Sequence, residues 1–197
     1  MQPAKSKGES VARSVINGGR KAKILKSDPM YTGLVFGVRR DEVIEPNGKR
    51  TTREIVTHPG SVVVLPVFAD GRIVIIRQYR HAVGQYMWEL VAGHREPNED
   101  FRHGAARELK EETGYTARRY RKLLEVYPSP GLLGERMVVF LAEGLTKGEP
   151  NPEDDEKIEV KVLNPAEIER WIRSGKIRDA KSVSGLLYYA TFIRRKR

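Results

Sequence analysis

One stretch, GHREPNEDFRHGAARELKEETGY at Gly93–Tyr115, constrains this chain more than any other. Asn98, Glu99 and Asp100 predict the start of a helix, because a polar cap followed by acids in the first turn suits the helix dipole. The next residues, FRHGAARELKEET, are compatible with a helix of about three to four turns, and Gly114 supplies the usual left-handed stop.

Three carboxylates lie on this predicted helix. Glu108 and Glu112 are four residues apart, so they project from one face about a turn apart, and Glu111 adds a third acid. Like charges at this spacing destabilise an isolated helix slightly, so a compensating group is expected. A hard divalent cation is the natural candidate, because Mg²⁺ binds carboxylate oxygens together with water and phosphate oxygens. A solvated charged face is the ordinary alternative.

The spacing of these residues resembles the Nudix box, G-x5-E-x7-R-E-U-x-E-E-x-G-U. The matching positions are Gly93, Glu99, Arg107, Glu108, Leu109, Glu111, Glu112 and Gly114. Only the last slot departs, with Tyr115 where the family prefers a smaller aliphatic residue, and that difference affects packing and not a ligand. The resemblance implies a Nudix hydrolase of the α/β class, with a mixed β-sheet sandwiched between helices (α/β/α).

The composition agrees with a single enzyme domain with extensions. A chain of 197 residues is long enough for a sizeable core. It has no cysteine, which excludes disulfides, thiolate metal sites and cysteine nucleophiles and fits a reducing compartment. No apolar run approaches the roughly 18 residues of a membrane span, and the N-terminus lacks the apolar core of a secretory signal. We therefore expect a cytoplasmic protein with no membrane partner.

The net charge of +10 comes almost entirely from the two ends of the chain. Residues 1–28 carry seven Lys and Arg against two acids, and the last four residues are all Lys or Arg. Basic tails bind nucleic acid or anionic lipid non-specifically. They are more often solvated ends, so we do not expect nucleic acid as a partner.

The chain divides into three predicted parts. Residues 1–28 have no convincing hydrophobic period and predict a basic, flexible segment. Residues 29–57 predict an N-terminal β-hairpin extension, since the turn Pro46-Asn47-Gly48 joins two extended segments, Met30–Val43 and Arg50–Val56. Residues 58–197 are expected to form the Nudix domain.

Nearly continuous apolar runs in that domain predict strands buried on both faces. Ser61–Phe68 and Arg72–Tyr79 form a second predicted hairpin across Asp70-Gly71. Further strands are predicted at Tyr86–Ala92, Tyr120–Tyr127, Arg136–Glu143 and Ile158–Leu163. Two helices are predicted to close the chain, one capped by Asn164 and ending near Gly175, the other from about Lys181 to Ile193.

A second stretch indicates which subfamily of Nudix enzymes the chain resembles. Tyr127-Pro128-Ser129-Pro130-Gly131, followed by Glu135, is by itself a rigid turn between strands. At this distance after the box, S-P-G-x-x-x-E resembles the ADP-ribose pyrophosphatase subfamily of Nudix enzymes. Other stretches agree with that subfamily, namely REIVTHPGSV, IRQYR, WELVAG, PEDDEKIEV and SGLLYYATF. The resemblance runs from about residue 30 to the C-terminus.

The resemblance implies roles for individual residues. By match to the family, Glu108, Glu112 and the main-chain carbonyl of Ala92 hold the metal, with Glu111 assisting. Arg107 is expected to orient a carboxylate, and Glu99 to support the site. The general base stays open: the acidic loop Glu153-Asp154-Asp155-Glu156 favours Glu156 or Asp154, and Glu135 is a rival as base or ligand.

Substrate contacts are also implied. Arg77 and Arg80 are candidates to hold phosphates through bidentate contacts, with a structural ion pair as the alternative for each. Arg53 and Glu54 fall where subfamily members contact adenine or the terminal ribose, often across a dimer interface, so a homodimer is expected. Pro130 and Gly131 belong to the substrate-binding turn. The histidines His81, His94 and His103 are expected to be surface or core residues.

The sequence therefore predicts Mg²⁺-dependent, or Mn²⁺-dependent, hydrolysis of ADP-ribose to AMP and ribose 5-phosphate. One alternative is a Nudix hydrolase for another nucleoside diphosphate sugar, such as UDP-glucose or GDP-mannose, or for a dinucleotide or a capped or oxidised nucleotide. Another is a non-catalytic ADP-ribose sensor, and a third is a basic-tailed nucleic-acid-binding module.

Overall fold

A computed structural model describes residue 19 and residues 21–150 and 157–194. The chain forms two compact units, one with a three-stranded antiparallel sheet and one with a seven-stranded mixed sheet and helices. In these ranges, no helix has the length and apolar content needed to cross a membrane.

The first unit consists of strands β1 (Lys23–Thr32), β2 (Gly37–Ile44) and β3 (Arg50–Thr57). The predicted turn between β2 and β3 is confirmed: the Gly48 N–H donates to the Glu45 carbonyl at 2.8 Å, and Gly48 has a φ of 85°. Glycine suits this left-handed conformation because it has no Cβ.

Strand β1 corrects the sequence prediction. It begins at Lys23, inside the stretch expected to lack structure, and Met30–Val43 is two strands instead of one extended segment. Almost every residue of β1 is exposed, so its side chains show no alternation that the sequence could reveal. It is held by backbone pairing with β2 and by the Ser27 hydroxyl, which donates to the buried Asp41 carboxylate at 2.6 Å and lowers the pKa of Asp41.

The second unit is built on a mixed sheet, as predicted. Its strands are β4 (Ser61–Val67), β5 (Ile73–Arg80), β6 (Gln85–Glu89), β7 (Val91–His94), β8 (Tyr115–Val126), β9 (Met137–Lys147) and β10 (Glu159–Leu163). The strand order is β10-β5-β4-β9-β8, with β6 paired to β5 and β7 to β4. Among the hydrogen-bonded pairs of these described strands, β4 and β9 are parallel and the other pairs are antiparallel.

Helices cover both faces of this sheet. They are α1 (Phe101–Thr113), α2 (Pro165–Arg173) and α3 (Ala180–Tyr188), which continues as a wider π-helical turn, Tyr189–Ile193. Alternate residues of β4 point to opposite faces, because side chains alternate along a strand. Val62 and Val64 pack in a cluster with Ala105 and Leu109 of α1, whereas Val63, Leu65 and Val67 pack in a cluster with residues of α2 and α3. The α/β/α sandwich is confirmed.

The predicted single strand Tyr86–Ala92 is divided in two at Leu90. β6 pairs with β5, whereas β7 pairs with β4, so the chain must change partners between them. Leu90 is fully buried at this point, and its N–H donates to the Ser182 hydroxyl of α3 at 2.7 Å. A side chain distant in sequence therefore satisfies the backbone where the strand breaks.

Candidate active site

Helix α1 spans the residues that the sequence predicts. The Asp100 carboxylate caps it by accepting the N–H groups of Arg102 at 2.8 Å and His103 at 3.0 Å. At the other end, Gly114 has a φ of 72°, and its N–H donates to Lys110 O. The predicted placing of Glu99 and Asp100 in the first turn is wrong, because Asp100 itself is the cap and the first turn contains no acid.

Packing of α1 against the sheet turns two of the box carboxylates inward. Ala105 and Leu109 are fully buried, and Glu108 and Glu112, on the same side of the helix, are 8% and 3% exposed. Glu108 lies directly against β7. A Cβ on Gly93 would be 1.9 Å from Glu108 Oε1, so only glycine leaves room for this carboxylate. The box glycine thus brings Glu108 to the backbone of the strand that carries Ala92.

Arg107 is hydrogen-bonded to three carboxylates of the motif. Its Nε and Nη2 donate to the two oxygens of Glu99 at 3.0 and 3.1 Å. Its Nη1 donates to Glu108 at 2.8 Å and to Glu111 at 3.0 Å, and Nη2 also reaches the His94 carbonyl at 3.2 Å. These carboxylates raise the pKa of Arg107, with the Glu99 hydrogen bonds contributing most, and Arg107 in turn lowers the pKa of Glu99.

Arg80 lies on the α1 side of the sheet. It makes a bidentate contact with the buried carboxylate of Glu89, with Nε and Nη2 at 3.0 and 2.7 Å from its oxygens. Burial alone lowers the pKa of Arg80, but the Glu89 hydrogen bonds and the nearby charges of Glu89, Glu112 and Asp179 raise it overall. The structure thus forms the ion pair weighed as the alternative for Arg80, on the side of the sheet that α1 covers.

Arg77 lies on the opposite face. It is three residues before Arg80 on β5, and positions an odd number apart on a strand point to opposite sides. Its guanidinium stacks over Tyr86, 4.8 Å from the ring centroid, and pairs with Glu159 at 3.3 Å. The structure does not bring Arg77 to the box carboxylates, and its role in substrate binding stays a prediction.

Glu135 is held at the start of β4. The Ser61 hydroxyl donates to Glu135 Oε1, and His58 Nδ1 lies 3.6 Å from the same oxygen. The Gly60 N–H donates to His58 Nδ1 at 3.1 Å. Sequence reasoning missed Ser61 and His58 as partners of Glu135, although both lie in the HPGS segment of the subfamily stretch.

Other predicted residues lie elsewhere. Arg53 and Glu54 are on β3 of the first unit, where Arg53 pairs with Glu45 at 2.7 Å and Glu54 with Arg40 at 2.8 Å. Pro130 and Gly131 lie in the turn between β8 and β9. The candidate bases Asp154 and Glu156, with Glu153 and Asp155, fall outside the described residues. His103 is exposed and pairs with Asp100 at 2.6 Å, consistent with a surface histidine.

The residues around Gly93 suit a hard divalent cation in their chemistry. Glu108 and Glu112 are largely buried on one side of α1, Glu108 lies against the strand at Gly93, and carboxylate and carbonyl oxygens are the ligands that Mg²⁺ prefers. Within the part of the chain that the structure describes, no three acidic or histidine side chains form a ready-made cluster. Glu108 and Glu111 share the Nη1 group of Arg107 instead.

The comparison with protein families agrees with the fold and the site. Residues 57–184, well over half of the chain, match the family described as NUDIX domain. The chain therefore belongs to the Nudix hydrolase family, whose members generally use a divalent metal. The predicted family and fold are confirmed.

Two relatives and one solved structure are similar to this chain over most of its length. It is 37% identical over 168 residues to an ADP-ribose pyrophosphatase of Bacillus subtilis (strain 168), covering 84% of this chain and 91% of the relative. It is 35% identical to a methanol dehydrogenase activator of Bacillus methanolicus, with the same coverage of 84% and 91%. A crystal structure of an ADP compounds hydrolase, 22% identical, matches the fold with a TM-score of 0.79 over 90% of this chain and 97% of that chain.

Proposed function

We propose that this protein hydrolyses the pyrophosphate bond of ADP-ribose, giving AMP and ribose 5-phosphate, with Mg²⁺ or Mn²⁺ as its metal. The observation that carries the proposal is the close approach of Glu108 to Gly93, with Glu112 buried one turn further along α1 and Glu111 joined to the same arginine as Glu108. The 37% identity to an ADP-ribose pyrophosphatase over most of both chains supports the choice of substrate.

The metal would be held by Glu108, Glu112 and the carbonyl of Ala92, with Glu111 assisting. When bound, such a cation neutralises charge on the pyrophosphate oxygens and acidifies a water for in-line attack. The chain's contribution is to present these oxygens in a fixed arrangement, since positioning and electrostatics supply most of the catalysis in phosphoryl transfer.

Arg107 acts in this proposal as the residue that orients the carboxylates. Its guanidinium spans Glu99, Glu108 and Glu111, and its side chain is only 25% exposed. A planar guanidinium with five N–H groups can fix several carboxylates at once, which an ammonium cannot do with the same geometry. Glu99 takes two of these hydrogen bonds and thereby anchors Arg107 itself.

Arg80 is the proposed phosphate contact. Nε and Nη2 donate to Glu89, and the guanidinium has further N–H groups that can reach a phosphate oxygen. Arg80 lies on the side of the sheet that α1 covers, which is the side of the proposed metal ligands. Pro130, Gly131, Arg53 and Glu54 are proposed to contact the rest of the nucleotide, with Arg53 and Glu54 acting in a cytoplasmic homodimer.

For the general base we propose Glu156 or Asp154 in preference to Glu135. Glu135 already accepts a hydrogen bond from the Ser61 hydroxyl, and its side chain is only 11% exposed. A base must reach the attacking water, and a carboxylate that already accepts a hydrogen bond in a buried contact is less suited to that role.

The experiment that tests this function is a product assay. The purified full-length protein is incubated with Mg²⁺ and, in parallel, ADP-ribose, UDP-glucose, GDP-mannose, NADH and diadenosine polyphosphates, and the products are separated by chromatography. AMP appearing fastest from ADP-ribose is the expected result. Faster turnover of another compound would overturn the substrate, and tight ADP-ribose binding without turnover would instead indicate a sensor.

A further inference from the structure

Helix α3 lies far from the Nudix box in sequence, but it contacts Glu89, a buried acid on the α1 side of the sheet. Glu89 is on β6 opposite Ile76 of β5, and Ile76 belongs to the apolar cluster that contains Ala105 and Leu109 of α1. The Glu89 side chain is only 1% exposed. A carboxylate buried to this degree is stable as an anion only when cations and hydrogen bonds replace its hydration.

Two cations share this carboxylate. Arg80 makes its bidentate contact from β5, and the Nζ of Lys181, in the first turn of α3, donates to Glu89 Oε2. Lys181 also lies 3.0 Å from Asp179, the residue that caps α3, and its side chain is 10% exposed. Arg80, at 36% exposed, is the member of this group that is open to solvent.

The position of Lys181 is not explained by the stability of its helix. A cation near a helix N-terminus meets the positive end of the helix dipole, which is the unfavourable end for it. Burial of its ammonium adds a desolvation cost. The contacts with Glu89 and Asp179 are the gains that offset both costs.

We propose that Lys181 is a positioning residue for phosphate binding: by sharing the buried charge of Glu89, it leaves the solvent-exposed part of the Arg80 guanidinium available to a substrate phosphate. Without Lys181, Arg80 becomes the sole cation hydrogen-bonded to Glu89 among the described residues. It is then drawn toward Glu89, and more of its charge is neutralised there. This inference rests on the proposed function, since it assumes that Arg80 contacts a phosphate.

The test compares Lys181→Met with the wild-type protein, using whichever compound of the product assay the wild type turns over fastest. We expect KM to rise about tenfold and kcat to change by less than about threefold, because a contact made equally in the bound substrate and the transition state affects KM alone. Lys181→Arg should restore KM to within about threefold of wild type, since it keeps the charge near Glu89.

A matched control is available on the other face of the sheet. Arg119 of β8 pairs at 2.8 Å with Glu143, whose side chain is 10% exposed and lies on the same side of β9 as Leu141 of the α2 and α3 cluster. Arg119→Met also removes a cation from a buried carboxylate, but on the opposite face of the sheet from Arg80. We expect it to lower Tm without raising KM.

Two further measurements keep the inference separate from the choice of substrate. In EDTA, calorimetric titration with the same compound should show the same rise of about tenfold in Kd for Lys181→Met, without any turnover. The double variant Glu89→Gln/Lys181→Met should have the KM of Glu89→Gln alone, because Lys181 acts through Glu89.

If KM and Kd of Lys181→Met stay within twofold of wild type, or if Arg119→Met raises KM equally, the inference is wrong. Turnover of a compound other than ADP-ribose would alter the proposed function and leave this test intact.

Discussion

At the scale of single residues, the site depends on Arg107 and Gly93, because these two residues determine where the carboxylates lie. Arg107 gathers Glu99, Glu108 and Glu111 around one guanidinium. Gly93 leaves the space that Glu108 occupies. Both positions were found from the spacing of the motif, but the spacing alone could not show that one arginine contacts three acids.

Arg107→Lys tests the role of the planar guanidinium. The ammonium keeps the positive charge but cannot span three carboxylates, so we expect kcat to fall about 10- to 100-fold, in the range for loss of a positioning contact. Steady-state kinetics measure this, and Arg102→Lys, on an exposed position of the same helix, is the control that should leave kcat unchanged. Equal activity of both variants would show that charge alone is sufficient at position 107.

Gly93→Ala tests the close approach of Glu108. The added Cβ would fall 1.9 Å from Glu108 Oε1, so the carboxylate must move away from β7. We expect kcat to fall at least about 100-fold, as for a displaced catalytic group, and the divalent metal concentration for half-maximal activity to rise. A folded Gly93→Ala protein with wild-type activity would contradict the placing of Glu108.

At the scale of secondary structure elements, α1 is the best-predicted part of the chain, because its signals are local. The Gly114 stop and the buried Ala105 and Leu109 all belong to this one helix, and only the cap, which is Asp100, differs from the prediction. The break at Leu90 could not be predicted in this way, since it depends on Ser182, which is distant in sequence. The division of Arg77 and Arg80 between two faces does follow from strand alternation and could have been predicted from their spacing.

The Asp100 cap gives α1 a stability that depends on pH. Hydrogen bonds from the His103 and Arg102 N–H groups lower the pKa of Asp100 in the folded state. A group with a lowered folded pKa contributes stability above its unfolded pKa, about 3.9 for Asp, and loses it as pH falls through the folded value.

Asp100→Asn isolates this contribution, because Asn caps a helix about as well but does not titrate. Urea unfolding at several pH values should show wild type more stable than Asp100→Asn at neutral pH, with the difference shrinking as pH falls below about 4. A difference that is constant across this range would mean that the charge of Asp100 does not stabilise α1.

At the scale of the whole molecule, the α/β/α sandwich was implied by the resemblance to the Nudix box, and the two-sided burial of β4 agrees with the nearly continuous run of apolar residues in its sequence. Strand β1 was missed because a strand that is exposed along most of its length carries no such pattern. The pairings of Glu135 with Ser61 and of Glu89 with Lys181 join segments far apart in sequence, and no local signal links them.

We propose that the carboxylates of α1 hold the metal for hydrolysis of ADP-ribose. The most direct measurement is the rate of AMP formation from ADP-ribose and Mg²⁺ by wild type and Glu112→Gln, together with Tm for both. The substitution keeps size and helix propensity but removes a charge that would hold the metal. We predict a loss of kcat of at least about 100-fold with Tm nearly unchanged. Wild-type turnover by a folded Glu112→Gln protein would contradict the claim.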